Sequence, residues 1–283
     1  MIIEEREANI GNFLVGRLLP FRKKRTVGPF AFIDHMGPVN LKPGEKLDIG
    51  PHPHIGLSTL TFLFEGSIRH RDTTGAERVI TPGAVNWMTA GKGVVHSERT
   101  PPEWVDQSKT LHGLQIWVAL PVDKENIEPS FQHIDAEDIP FWEEGHINFR
   151  LIAGHFDTYR SPVEVYSDLY MIEIKVSEDT EIDLSGRLFG ESGLYILEGR
   201  VEASGHIFEE KQILITRDAH LCTFKMRQGS TVYIFGGTPF PEERHIFWNF
   251  VSSSKEKIEQ AKKDWREDKF PRIPGEDDLV PLP

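Results

Sequence analysis

His52-Pro53-His54 and His96-Ser97-Glu98 place three imidazoles and one carboxylate in two short alternating pairs. Residues two apart on a β-strand project from the same face, so each pair aims two metal ligands in one direction. Converging inside a small β-barrel, these four side chains make a donor set for one divalent transition metal. Imidazole and carboxylate suit Fe, Mn, Co, Ni or Zn, and the lack of cysteine ligands speaks against a structural zinc site. Four protein ligands on a six-coordinate ion leave two positions for an oxygen-donor substrate beside O2 or water. Fe(II) is therefore the first choice. A His-x-His alone is a weak signal. The second pair, and the bend that Gly91 and Gly93 allow before it, make the pattern specific. The competing reading is of hydrogen-bonded core histidines.

The neighbouring segments read as the strands that position these groups. Leu57-Ser58-Thr59-Leu60-Thr61-Phe62-Leu63-Phe64 and, after Pro82-Gly83, Ala84-Val85-Asn86-Trp87-Met88 are β-rich runs bounded by turn residues. By alternation Ser58, Leu60 and Phe62 continue the face of His52 and His54 and are expected to line the cavity. Asn86 and Met88 are expected to line it from the next strand. Asp34 and His35 read as capping a turn. His70, His112, His133, His155, His206, His220 and His245 show no ligand spacing and read as ordinary histidines. No phosphate-cradling glycine loop, nucleophile elbow or basic-aromatic patch occurs.

Val, Ile, Thr and Phe recur in short runs punctuated by Gly and Pro along most of the chain, an all-β signature. Phe30–Asp34 and Leu114–Leu120 belong to the first half. A Pro- and acid-rich passage with Pro121, Pro129 and Pro140 reads as the crossing between halves. Leu194-Tyr195-Ile196-Leu197-Glu198-Gly199 then echoes Leu60-Thr61-Phe62-Leu63-Phe64-Glu65-Gly66, which implies two related β-barrels. His52 and His54 lie fourteen and twelve positions before Gly66. The same offsets from Gly199 fall on Ser185 and Arg187, so the second barrel is expected to lack a metal site. The expected organisation is 1–125 for the metal-bearing barrel, 126–148 for the connection, 149–252 for the second barrel and 253–283 for a helix and tail. In that last segment Ser253-x-x-Glu256 can form a capping box, and Ile258, Ala261 and Trp265 recur at helical spacing.

The chain has 283 residues, a formal charge of −12 and one cysteine. That balance argues against direct nucleic-acid binding, which needs clustered cations on phosphate. The basic run Arg22-Lys23-Lys24-Arg25 reads as a solvated loop. Cys222, between Leu221 and Phe224, reads as a buried thiol, and a lone cysteine suits a reducing compartment. No stretch is long and apolar enough to cross a membrane. The acidic N-terminal run Ile2-Ile3-Glu4-Glu5-Arg6-Glu7 does not resemble a signal peptide. A cytoplasmic location is the expectation.

Several of these segments together resemble the pirin family. They are Gly28–His35, Pro51-His52-Pro53-His54-Ile55-Gly56, Phe64-Glu65-Gly66, Pro82–Gly91, Gly93-Val94-Val95-His96-Ser97-Glu98 and Leu111–Val118. The resemblance covers most of residues 28–120. It implies an all-β bicupin: two stacked cupin, jelly-roll-like β-barrels with a C-terminal α-helix. It further implies an iron in the N-terminal barrel on His52, His54, His96 and Glu98. General cupins carry the carboxylate shortly after the His-x-His pair, a position that register from Gly66 assigns to Thr59. Glu98 replaces it, which matches the pirin variant. Pirins often have a basic residue where this chain has Ile55, and an aromatic where it has Leu57.

The resemblance offers two functions. Some bacterial pirins open quercetin as 2,3-dioxygenases, and the eukaryotic protein is a nuclear transcriptional co-regulator. The expected function is an Fe(II)-dependent dioxygenase acting on a flavonol or related enol with O2, in which Glu98 takes the substrate hydroxyl proton. The alternative is a metal-bearing regulatory module that acts through a protein partner, which the acidic charge suits better than DNA. Oxygen uptake by iron-loaded protein discriminates the two.

Overall fold

Short runs of β-branched and aromatic residues between Gly and Pro turns form strands along nearly the whole chain, and among the described residues one α-helix follows them. The computed structural model describes residues 1–10, 13–216 and 223–283. Cys222, Leu221 and His220 lie outside the described residues.

The chain forms two compact units, neither of which is one continuous stretch. One comprises residues 7–16, 33–136 and 241–283. Its seven-stranded sheet runs in the order Ser130–Ile134, Val85–Thr89, Leu57–Glu65, Lys109–Ala119, Phe30–Leu41, Phe13–Leu19, Arg6–Ile10. Its four-stranded sheet runs Asp48–His54, Val94–Arg99, Ile68–Asp72, Glu77–Ile80. The segment read as a connection therefore supplies the edge strand Ser130–Ile134, which pairs with Val85–Thr89. Asp34 and His35 are not in a turn. The turn ends earlier, at Gly28 with φ +52, and both residues are buried within the Phe30–Leu41 strand. His35 Nε2 lies 2.8 Å from His112 Nε2.

The other unit comprises residues 1–6, 17–32 and 137–240. Its larger sheet centres on Glu191–Glu198, Thr231–Gly237 and Leu169–Val176. Its four-stranded sheet runs Thr180–Asp183, Thr223–Met226, Arg200–Ala203, His206–Glu209, the same connectivity as in the first unit. The internal repeat is visible in the turns. Gly66 ends Leu57–Glu65 with φ +85, and Gly199 ends Glu191–Glu198 with φ +81. A Cβ would meet Thr110 O at 2.4 Å in the first and Ser230 Oγ at 2.3 Å in the second. The second interior is filled by Phe149, Leu151, Tyr170, Ile172, Phe224 and Met226. Arg187, at the register position of His54, pairs instead with Glu144 and Asp157. Among the described residues, the His, Cys, Asp and Glu groups close enough to share a metal all lie in the first unit.

The helix spans Lys255–Arg266 and buries Ile258, Ala261 and Trp265 against Ile55, Val95 and Phe250. Its N-cap is Ser254 rather than Ser253. Ser254 Oγ accepts from Lys257 N, while the Ser253 amide is taken up by Glu125 Oε1 at 2.7 Å. Each unit fills its own apolar core without a metal. Chelation is thus expected to leave most of the β-sheet circular dichroism in place, with a lower Tm from lost ligand linkage. Collapse of the β signal on chelation would make the metal a folding element.

Candidate metal centre

Antiparallel pairing assembles the cluster. His96 lies directly across from His52, and the ladder shifts register between His96 and Glu98, with Glu98 opposite Ile49. On its other edge the Val94–Arg99 strand pairs with Ile68–Asp72, where Asp72 opposes His96 and His70 opposes Glu98. His52, His54 and His96 bring ligand atoms within 4.8 Å of one another, and His70, His96 and Glu98 form a second such group that shares His96. All five side chains are buried. The structure thus brings the three histidines of the two motifs together. It sets Glu98 beside His96 and His70 rather than within 4.8 Å of all three.

His70 was legible as one more alternating pair. His70-Arg71-Asp72 has the same grammar as His96-Ser97-Glu98, and its strand is the next neighbour. Its hydrogen bonds give it an orienting role. His70 Nε2 donates to Asp72 Oδ2 at 2.8 Å, and His70 Nδ1 faces His96 Nδ1 at 3.4 Å. A proton on His96 Nδ1, shared toward His70 Nδ1, leaves His96 Nε2 a lone pair. His52 Nδ1 donates to Gly50 O at 2.9 Å and His54 Nδ1 to Asn249 O at 3.0 Å, which leaves both Nε2 atoms as lone pairs too. His54 Nε2 and His96 Nε2 stand 3.1 Å apart. Two lone pairs at that distance repel unless a cation lies between them. Two nitrogens each about 2.1 Å from one ion and at right angles are about 3.0 Å apart, so the donors fit a divalent transition metal. The outer partners Gly50, Asn249 and the His70–Asp72 pair hold the ring orientations, as such groups do around metal-binding histidines.

Burial sets the protonation of the cluster. Desolvation lowers His52 to about 4, with the Gly50 hydrogen bond opposing it. Desolvation, then the neighbouring His52, holds His54 and His96 well below the usual imidazole range. The three rings are neutral at pH 7, the ligating form. Desolvation pushes the Glu98 carboxyl up, and His70 and the Thr61 hydroxyl oppose this.

The metal-free protein is expected to lose stability as pH falls from about 6.5 to about 4. In that window the unfolded chain binds protons on imidazoles that stay neutral when folded, so stability rises with pH there. His52 alone contributes about 3 kcal/mol across the window. Glu98 works in the opposite sense, since a raised carboxyl favours the fold at low pH and penalises it once ionised. Metal-free Tm measured against pH should therefore fall less steeply in His52→Leu than in wild type. Parallel profiles would contradict the assignment.

The lining of the site differs in part from expectation. Gly56 adopts φ +67, and a Cβ there would stand 2.0 Å from Val251 O. The chain turns at this glycine from the four-stranded to the seven-stranded sheet, so the alternation of His52 and His54 does not continue into the next strand. Thr61 is the residue that faces the cluster, and its Oγ1 donates to Glu98 Oε1 at 3.3 Å and is 2.9 Å from Gln115 Oε1. Ser58, Leu60 and Phe62 therefore project from the opposite face, where Ser58 Oγ meets Thr89 Oγ1 at 3.0 Å. Asn86 opposes Thr61 and Met88 opposes Thr59, which puts both on the face of Thr61. Gln115 and Trp117 join that face through their pairing with Thr61 and Thr59. The Trp117 ring packs edge-on to His54 with centroids 5.2 Å apart, and Phe131 stacks on His70 at 4.5 Å. The sequence offered no signal for Phe131, whose strand lies in the acid-rich passage.

A buried imidazole cluster with an adjacent carboxylate, set between the sheets of a small antiparallel β-unit that is repeated once without it, defines a two-domain protein of the cupin class. Residues 12–118 match the Pirin family model and residues 171–271 that of the Pirin C-terminal cupin domain. The chain is 44% identical to a pirin-like protein of Caulobacter vibrioides, covering 100% of this chain and 99% of that one. It superposes on the crystal structure of a quercetin 2,3-dioxygenase from Acinetobacter baumannii with a TM-score of 0.88 and 32% identity, over 99% of this chain and 95% of the other. A second quercetin 2,3-dioxygenase structure from that organism gives a TM-score of 0.86 at 27% identity, over 96% and 98%. The chain belongs to the pirin family.

Among the described residues no helix is long and apolar enough to cross a membrane.

Proposed function

We propose that this pirin holds one divalent metal through His52, His54, His96 and Glu98 and uses O2 to oxidise an enol, with quercetin-like flavonols as the first class to test. The observation that carries this reading is the convergence of three buried imidazoles, kept neutral by desolvation, beside a buried carboxylate. The likeness to quercetin 2,3-dioxygenases over nearly the whole chain supports the reaction class. Fe(II) is the metal proposed. Mn, Co, Ni and Zn suit the same donors, and the metal recovered on purification reflects supply as well as affinity. When bound, the metal supplies Lewis acidity toward an enol oxygen and redox chemistry with O2.

The chain's residues have distinct tasks in this reading. Glu98, whose proton affinity burial raises, accepts the substrate hydroxyl proton in its ionised form. A carboxylate bound firmly to metal would be a poor base, so Glu98 would have to hold the ion weakly to serve as one, and the Thr61 hydroxyl 3.3 Å away gives it a second partner. Asn86, Met88, Trp117 and Phe131 shape the space for the substrate. The lone cysteine favours a cytoplasmic setting.

The test is anaerobic Fe(II) loading followed by O2 uptake with a panel of flavonols and simpler enols. Uptake in proportion to added substrate is expected with at least one member. If fully loaded protein consumes no O2 with any of them, the regulatory module acting through a protein partner becomes the leading reading.

A further inference from the structure

Two rows of side chains leave the metal cluster and diverge. One crosses the four-stranded sheet through Glu98, His70 and Arg78, which are directly paired from strand to strand. The other crosses the seven-stranded sheet through Thr61, Asn86 and His133, again in direct register. Paired residues share a face, and the Thr61–Glu98 hydrogen bond shows that the two faces meet at the cluster. Glu77–Ile80 and Ser130–Ile134, which carry Arg78 and His133, are the edge strands of their sheets. Between these edges lies a cleft of about 430 Å³ lined by Glu77, Arg78, Val79, His133 and Asp135, a volume within the ordinary range for small-molecule sites. Phe131, two residues before His133 on the same strand face, stacks on His70 at 4.5 Å.

The charges at this mouth are unequal in freedom. Glu77 is engaged by Arg71 at 3.3 Å and Arg69 at 3.7 Å. Asp135 is 3.2 Å from His133 Nε2, and His133 Nδ1 donates to Asn86 Oδ1 at 2.6 Å. Arg78 pairs with no carboxylate among the described residues, so its planar fork is available for a bidentate anion. It stands two strand spacings, about 10 Å, from Glu98.

The geometry points to this cleft as the route to the metal, with Arg78 binding the carboxylate of an acidic substrate whose enol or catechol end reaches the cluster. The inference rests on the functional reading above and narrows its substrate class to organic acids a ring and a short arm in length. His133, held by Asn86, is the opposite wall and a positioning residue for the same group.

Caffeate and its methyl ester are matched probes, equal in shape at the catechol end and differing in the negative charge. Their binding to Co(II)-loaded protein is followed through the cobalt visible absorption. Wild type is expected to bind caffeate at least about tenfold more tightly than the ester, the scale of one charge-assisted hydrogen-bonded pair. Arg78→Ala should remove that preference by weakening caffeate alone, and Arg78→Glu should reverse it, both at unchanged cobalt content. Equal affinities in wild type, or a preference that survives both variants, overturns the inference while the metal-site reading stands. If neither compound perturbs the cobalt spectrum, the site does not take oxygen-donor ligands and both readings fall.

Discussion

In the His52→Ala/His96→Ala protein, bound metal is expected to fall from about one per chain to near zero. The two rings sit across from each other on paired strands, and their ligand atoms lie within 4.8 Å of one another. Removing one imidazole should lower affinity by more than the ~10–100-fold typical of losing an outer partner. His70→Ala, which removes only an orienting partner of His96, should fall within that smaller range. The comparison separates ligand from support, since His52→Ala and His70→Ala each lose one buried imidazole of the same cluster. Metal analysis after dialysis against a buffered metal supply is the measurement. Full retention in the double variant, or two metals per wild-type chain, would refute the single-site account.

Glu98→Gln should lower turnover by ~10²–10⁴ per bound metal, the usual cost of losing a positioned base. The amide keeps the shape and one acceptor oxygen, and Thr61 can still donate to it. It cannot accept a proton. Rates must be normalised to metal content, because a weaker ligand set also lowers occupancy. Equal rates per metal in wild type and Glu98→Gln would leave Glu98 as a ligand alone.

The part of the site that sequence made visible is the part governed by period-two alternation within one strand. His52 with His54 and His96 with Glu98 are such pairs, and the structure sets the strands side by side. Prediction of the lining failed where alternation was carried across a glycine. The left-handed Gly56 resets the phase, so Ser58, Leu60 and Phe62 turn away while Thr59 and Thr61 face the cluster. Asn86 and Met88 stand opposite Thr61 and Thr59 on a strand whose phase does not depend on Gly56. His70 carries the same local signal as His96, an acidic residue two positions on. Long-range pairing is a different matter. Nothing local tells that Ile2–Glu4 adds to Gln212–Thr216, or that Asn249 returns to support His54. Those contacts are fixed by tertiary packing, which single-sequence periodicity does not encode.

The repeat bears on the proposal of one site per chain. Both units keep the glycine turn that ends the inner strand, so both preserve the backbone frame. The second fills the corresponding interior with aromatic and aliphatic side chains, and among the described residues it brings no His, Cys, Asp or Glu group close enough to share a metal.

The location of the ion tests this account most directly. The histidines offer two overlapping groups, His52-His54-His96 and His70-His96-Glu98, and the outer hydrogen bonds favour the first with Glu98 added. Crystals of Mn(II)-loaded protein, measured at the manganese absorption edge, should show a single anomalous peak within bonding distance of Nε2 of His52, His54 and His96 and of a Glu98 carboxylate oxygen. A peak bound by His70 and Glu98 without His52 and His54, or no peak between these side chains, would contradict it.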